Sequence, residues 1–549
     1  MMLTTLAAQP VRCNRIDPTS LMLFDAVAAP FFLLALTLPF VFGYTQPPNA
    51  NFWPLMVSWW CGLLLLLLWL VRAPGNAGGG RGRGFMATQL AWGLLLAALL
   101  GSLIGLVQYF GGDVGLAPWV QASTPGQAIG NLRQRNQQAS LLSLGVWALL
   151  WMLSQIQARL EAEEKTALML QAPPGGGRRW PSWIAGMLLA WGMALLATGA
   201  AATASRTGAV QWLLVLGLLV LWRARCGRVA LGLCLTGILL YAVAAWLLPR
   251  LLLDWTGFAT DGLFSRFLGD EQACNGRGVL WRNVLYLIAQ RPWLGWGWGE
   301  LDYAHYITLF PGERFCVLLD NAHNLPLHLA VELGLPVAVL ACTAVGVWVV
   351  HARPWRETDP VRQLAWGILA IVGVHSLLEF PLWYGPFQWV TVLAVALLWR
   401  GSLPRWAALP AARAGAVMAL AGAAVLGGVV VWDYYRVSML YRPVVLRPLA
   451  YRADTVAKVS NTPFFSDQVA FALLSTTPLT QETAPQMHVL ATELLHFSPE
   501  PRVIEAVIES AVLLGRDDEA AFHMKRYRIA YPTEYGRWRS ASARASRAP

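Results

Sequence analysis

A short polar run, Asp320-Asn321-Ala322-His323-Asn324, leads into the apolar stretch Leu325-Pro326-Leu327-His328, so His323 stands where water meets a greasy helix. Imidazole is the side chain whose ordinary pKa lies nearest neutrality, and at such an edge it can take or give a proton without being buried. The plainer reading is a histidine bonded to local backbone at a helix start. Asn321, two residues ahead, brings an amide that both donates and accepts.

A second polar run, Gly130-Asn131-Leu132-Arg133-Gln134-Arg135-Asn136-Gln137-Gln138, gathers amides of the kind that bind sugars and phosphates, with Asn131, Gln134 and Asn136 as candidates. A solvated loop leading into a helix gives the same composition. Ser205-Arg206-Thr207-Gly208 places Arg206 between two apolar runs. A charge there is expensive unless paired, and its guanidinium suits phosphate oxygens as well as it suits snorkelling into headgroups.

Further on, Arg266, then Gly276-Arg277-Gly278, then a tryptophan-rich run from Trp293 to Trp298 put cations beside aromatic rings. That mixture suits a diphosphate carrying sugars, and the tryptophans equally suit an interfacial belt. Cys274 and Cys316 lie in the same region and are candidates to pair and brace it, although spacing alone does not establish the bond. His375 and Glu379 are four apart, as a structural ion pair or a proton relay would be, with Tyr384 just beyond. His328 and Glu332 share that spacing and read as structural.

The elements that position these groups follow from composition. Of 549 residues, 56% are hydrophobic and 13% charged, with 28 Trp, which excludes a single soluble core. The chain reads as an all-α polytopic membrane protein. Its net charge of +11 is carried by short Lys/Arg clusters between apolar runs, so we expect contact with membrane lipids and no nucleic-acid partner. Seven cysteines include no Cys-x-x-Cys pair. No paired carboxylates stand near His323, so neither a metal nor another cofactor is expected.

Apolar runs at 21–43, 52–71, 86–110, 140–157, 183–202, 208–222, 229–248, 335–350, 361–375, 387–399 and 414–432 predict about eleven membrane helices. Arginines at 72, 81, 83, 178, 179, 223, 225, 228, 353, 356, 400 and 405 fall in alternate loops and mark those as cytoplasmic. The loop 111–138, the long loop 249–334 and everything after about 433 then lie on the opposite side, with His323. The expected division is a membrane catalytic domain, 1–432, and a helical domain, 433–549. Within the latter, 470–474, 487–495, 503–514 and 518–527 read as amphipathic helices with tetratricopeptide-like punctuation.

The Asp-Asn-Ala-His-Asn run, the Ser-Arg-Thr-Gly turn and the amide-rich loop together resemble the O-antigen ligase and polymerase superfamily of bacterial envelope glycosyltransferases. Within it the amide loop and 379–384 look most like the PglL-type protein O-oligosaccharyltransferases. The resemblance implies a GT-C-type enzyme of the inner membrane, working on the periplasmic side. It would move a preassembled glycan from undecaprenyl diphosphate to a hydroxyl of an acceptor protein such as a pilin. It also implies that His323 activates the acceptor, that Arg206 and Arg277 hold the diphosphate, and that Gln134 and Tyr384 contribute to the site.

Such a donor already has a good leaving group. The chain therefore has to hold developing negative charge and activate an alcohol, which needs no metal. Ligation of glycan to lipid A core and glycan polymerisation are the neighbouring alternatives. A transporter would place polar groups mid-span, whereas here they gather at one face.

Overall fold

The computed structural model describes residues 18–72, 80–170, 182–268, 273–400 and 409–545. Among them the secondary structure is helical, with no strand. The membrane part comprises α1 (Pro18–Val41), α2 (Phe52–Arg72), α3 (Gly80–Gly111), α4 (Arg135–Leu170), α5 (Ser182–Ala202), α6 (Arg206–Leu221) and α7 (Arg223–Thr256). A helical excursion follows, α8 (Leu263–Leu268), α9 (Arg277–Gln290), α10 (Leu301–Ile307) and α11 (Leu325–Leu333). The chain then returns to apolar helices α12 (Leu335–Ala352), α13 (Pro360–Ser376), α14 (Gly385–Leu398) and α15 (Pro410–Ser438).

Among the described residues, six helices are long and apolar enough to cross a membrane: α2, α3, α4, α7, α12 and α15. Shorter apolar helices lie within α1, α5, α6 and α14. Each run expected to span falls on a helix, and α13 carries Arg362, whose Nε donates to Glu357 at 2.7 Å at the helix start. The protein is a helical membrane protein.

Helix α4 is the post of the bundle. It packs against α3, α5, α6, α7 and α13, and its apolar window is 89% buried, against 6% for α12 and α15. Small residues let its neighbours close in. A Cβ on Gly145 would lie 2.2 Å from that of Ala98 in α3, and one on Gly367 in α13 would lie 2.1 Å from the Trp147 indole. The Trp147 Nε1–H donates to the Leu364 carbonyl at 3.0 Å, so the close approach is also fixed in register.

Two of the boundaries that differ from the sequence reading bear on the site. Helix α4 starts at Arg135 rather than 140, which makes the amide run the N-terminus of the most buried helix. The long loop was expected to begin at Pro249, but α7 continues through it to Thr256 and ends on Gly257 in the left-handed region at φ 70°. Proline removes one hydrogen bond, and the leucines that follow keep an apolar face to bury.

The tail packs as successive helix pairs, α16 (Thr455–Val459), α17 (Ser466–Thr476), α18 (Ala484–Phe497), α19 (Pro501–Leu513), α20 (Asp517–Ala530) and α21 (Pro532–Ala545). Its core of Leu494, Val503, Ile504, Val507, Ile508 and Tyr527 also takes in Tyr306 of α10. The α10 side of that seam is pinned by Tyr306 Oη to His523 Nδ1 at 2.9 Å and by Arg526 Nε donating to the Ile307 carbonyl at 2.7 Å. Helix α15 runs on past residue 432 to Ser438, so the chain leaves the bundle without a flexible join there.

Candidate active site

One carboxylate organises the end of the bundle where α4 begins. Glu379 lies in the connection between α13 and α14, its side chain only 4% exposed. It accepts from His323 Nδ1 at 2.7 Å, Asn136 Nδ2 at 2.6 Å and Gln134 Nε2 at 3.2 Å, and from the Arg277 guanidinium. Burial alone raises the carboxyl's pKa. The hydrogen bond and charge of His323, then the charge of Arg277, outweigh it and hold the group below its ordinary value.

Each donor is itself held. Helix α13 stops at Ser376, the next turn closes with Glu379 N–H on the His375 carbonyl at 2.8 Å, and the carboxylate swings toward the α4 N-terminus. His323 has φ 50°, a left-handed backbone that side chains rarely adopt, and its N–H donates to Asn321 Oδ1 at 2.9 Å. Asn324 then caps α11, its Oδ1 accepting from Leu327 N–H at 3.0 Å while its Nδ2 reaches the Leu377 carbonyl at 3.0 Å. The imidazole packs edge-on to Phe380, centroids 5.0 Å apart. Arg277 opens α9, and Trp281 on that helix donates to the Ala322 carbonyl at 3.1 Å.

The Ser-Arg-Thr-Gly turn joins through Ser205, whose Oγ donates to Asn136 Oδ1 at 2.6 Å and accepts the Gly208 N–H at 3.1 Å as the cap of α6. A Cβ on Gly208 would lie 2.9 Å from that of Ala139, so glycine lets α6 start against α4. Arg206, half-buried, is the first residue of α6. Arg266 Nη1 donates to the Ala204 carbonyl at 3.0 Å, which brings a further guanidinium to the same turn. Cys274 and Cys316 are joined by a disulfide, Cα atoms 5.3 Å apart, bracing the segment that carries Arg277.

Two candidates from the sequence lie outside this network. Asn131 is buried and its amide is fully engaged: Nδ2 donates to the carbonyls of Val41 at 2.6 Å and Trp119 at 2.8 Å, and Oδ1 accepts from Gln121 N–H at 3.1 Å. It braces the loop, because Gly130 and Arg133, both at φ 60°, turn its side chain inward. His375 is 0% exposed, its ring nitrogens have no hydrogen-bond partner among the described residues, and it packs against Phe387. The expected side-chain pairing with Glu379 is not made, because the helix ends between them. Glu379 pairs with His323 instead.

Tyr384 lies half-buried beside Phe380, centroids 6.2 Å apart, and lines a cleft with Asn51, Arg133 and Trp383. Burial pushes its hydroxyl up against the pull of Arg133, so it remains a protonated donor. His328 is pushed down to about 4, by burial first and then by the charge of His323, which leaves it neutral and unsuited to the proton-accepting role. From the sequence, Ser205 is a further donor to the phosphate beside Arg206, and Glu379 has only a secondary role; the structure instead has Ser205 Oγ on Asn136. The signal for Glu379 was a carboxylate in an apolar neighbourhood at the helix end that faces His323.

With Nδ1–H donated to Glu379, the lone pair of the imidazole is on Nε2, and the side chain is 28% exposed. The arrangement can therefore take a proton from an incoming alcohol while the buried carboxylate stabilises the imidazolium. Glu379 is surrounded by N–H donors, one of them a guanidinium, and among the described residues no group of three or more His, Cys, Asp or Glu could hold a metal ion.

Comparison with known proteins divides the site into three parts. The O-antigen ligase family matches residues 191–342, which carry Ser205, Arg206, Arg266, Arg277 and His323. The protein glycosylation ligase family matches 128–153, with Gln134 and Asn136, and a family described as the C-terminal part of a virulence factor membrane-bound polymerase matches 363–546, with Glu379 and Tyr384. A general O-oligosaccharyltransferase of Acinetobacter baylyi is 25% identical over 316 residues, 55% of this chain and 49% of that protein, so the chain spans about half the length of this relative. Three separately matched segments thus meet on one carboxylate, and the chain is similar in its parts to O-antigen ligases and protein glycosylation ligases.

Proposed function

We propose that the protein transfers a preassembled oligosaccharide en bloc from undecaprenyl diphosphate to Ser or Thr hydroxyls of periplasmic proteins such as pilins, without a metal. His323 Nε2 removes the acceptor proton as the acceptor oxygen bonds to C1 of the first sugar. The bond from C1 to the diphosphate oxygen breaks, and the leaving diphosphate takes both electrons and the developing charge. Arg206, Arg266 and the guanidinium N–H groups of Arg277 not held by Glu379 stabilise that charge. Gln134, Asn136, Asn321 and Tyr384 complete the pocket, the first three by fixing Glu379 and His323 in place. Orientation follows the arginine bias: about eleven spans in the inner membrane, with this end of the bundle and the tetratricopeptide-like tail in the periplasm.

The observation that carries the reading is the single buried Glu379 carboxylate shared by His323 and Arg277, because it ties the proton acceptor to the anion-binding cation. The test is reconstitution with an undecaprenyl-diphosphate-linked glycan, a pilin and a lipid A core acceptor offered together. Sugar on the pilin with wild type, and none with His323→Ala, is the expected result. Sugar on the lipid core alone would assign ligation instead, the second reading, which the O-antigen ligase match over 191–342 favours.

A further inference from the structure

An aromatic surface runs outward from the His323 imidazole. Phe380 packs on that ring and leads into a 3-10 turn, Pro381–Trp383, closed by Trp383 N–H on the Phe380 carbonyl at 3.2 Å. The Trp383 indole lies within 14° of parallel to that of Trp298, centroids 6.2 Å apart. Both residues are exposed, Trp383 39% and Trp298 63%.

The pair rests on a built foundation. His328, buried beneath, stands edge-on to Trp383 at 4.9 Å and to Trp298 at 6.1 Å, and its Nε2 is 3.4 Å from Glu332. The loop displaying Trp298 is zipped to the end of α11 by Trp296 N–H on the Val331 carbonyl at 2.9 Å and Gly297 N–H on that of Glu332 at 3.0 Å. Backbone passes so close that a Cβ on Gly295 would lie 2.3 Å from the Glu332 oxygen, and Gly295 has φ 69°. Trp293 and Leu294, 75% and 86% exposed on the same loop, have the composition of a simple headgroup anchor.

We propose that Trp298 and Trp383 form a carbohydrate platform for the leading sugar rings of the lipid-linked glycan, an assignment that rests on the donor reading above. The C1 under attack must touch the diphosphate and lie within reach of His323, so the ring that owns it lies beside the imidazole, where this surface begins. Pyranose C–H bonds carry partial positive charge and match the negative face of an indole. The platform therefore adds affinity for the glycan and none for the lipid diphosphate.

The test is equilibrium binding of bare undecaprenyl diphosphate and of undecaprenyl diphosphate-linked N-acetylglucosamine to the full-length protein in nanodiscs. Wild type should prefer the glycosylated lipid. Trp298→Ala with Trp383→Ala should lose that preference, roughly tenfold for an aromatic face of this size, with bare-lipid affinity unchanged. Trp298→Tyr with Trp383→Tyr, which keeps flat rings and the fold, should restore most of it, and Trp293→Ala should leave it intact. No preference in wild type, a preference surviving the double alanine variant, or an equal loss for both lipids overturns the platform. A wild type that binds neither lipid overturns the donor reading itself.

Discussion

His323 in the membrane-end site and His488 in the helical tail each lie against a glutamate, and they differ in how their ring nitrogens are held. His488 is 5% exposed and both nitrogens are engaged, Nδ1 with Ser510 Oγ at 3.0 Å and Nε2 3.4 Å from Glu519. His323 is 28% exposed and has one nitrogen on Glu379. The carboxylates differ as well, since Glu519 is half-exposed on a helix whereas Glu379 is buried and shared among four donors. A histidine with both nitrogens tied braces a fold. One tied at a single nitrogen to a fixed carboxylate is oriented and remains able to accept a proton.

The sharpest way to break this comparison is paired alanine substitution. His323→Ala should lower the rate of glycan transfer by roughly a hundred- to ten-thousand-fold with little change in melting temperature. His488→Ala should leave the rate near wild type and lower unfolding stability by about 1–3 kcal/mol, as loss of a buried hydrogen-bond partner does. The reverse pattern, read from the same transfer and denaturation assays, would mean that nitrogen occupancy has been misjudged.

Next in size is Glu379→Gln, which keeps the shape and removes the charge. Transfer should fall roughly a hundredfold, since both the imidazolium and Arg277 lose their partner. Stability should fall by up to about 3 kcal/mol, the lower end for a broken buried pair, because Arg277 is 27% exposed. Arg277→Lys should weaken donor binding about tenfold, seen in titrations with the lipid diphosphate, because an ammonium cannot serve a carboxylate and a phosphate with the planar fork of a guanidinium.

The smallest effect concerns the seam between α10 and the tail. Burial, the largest influence, pushes His523 down to about 4, with Glu519 pulling it up and Arg526 and His488 pushing further down; Tyr306 faces it from α10. The folded form thus binds fewer protons than the unfolded one. Its contribution is complete above the ordinary histidine pKa of about 6.5, weakens as pH falls toward 4 and levels off below. The protection factors of the α10 amides, taken relative to the intrinsic exchange rate at each pH, should fall as pH drops across that window in wild type, and His523→Gln should flatten the fall.

Polarity in an apolar chain made much of this site legible. A charge or amide at a membrane edge is expensive enough to stand out, which singles out His323, Arg277, Gln134 and Asn136, and these four meet at Glu379. The hub was harder to read. Glu379 meets Gln134, Asn136, Arg277 and His323 across 245, 243, 102 and 56 residues of chain, and helical periodicity reports only neighbours three or four apart. That local rule suggested His375 as its partner. Asn131 misled for a related reason: left-handed residues on either side turn it inward, and only one of the two is glycine. Helix α21 went unread because Pro532–Ala545 is polar, with few apolar residues to set a period.

The claim beneath all of this is that His323 takes the acceptor's proton while Glu379 holds it in place. Chemical rescue tests it most directly: single-turnover transfer by His323→Gly, with donor and acceptor saturating, is measured with and without added imidazole. Imidazole should recover a concentration-dependent part of the lost rate, with donor affinity the same as wild type throughout. A variant that transfers at the wild-type rate, or one that has lost donor binding and is untouched by imidazole, would contradict it.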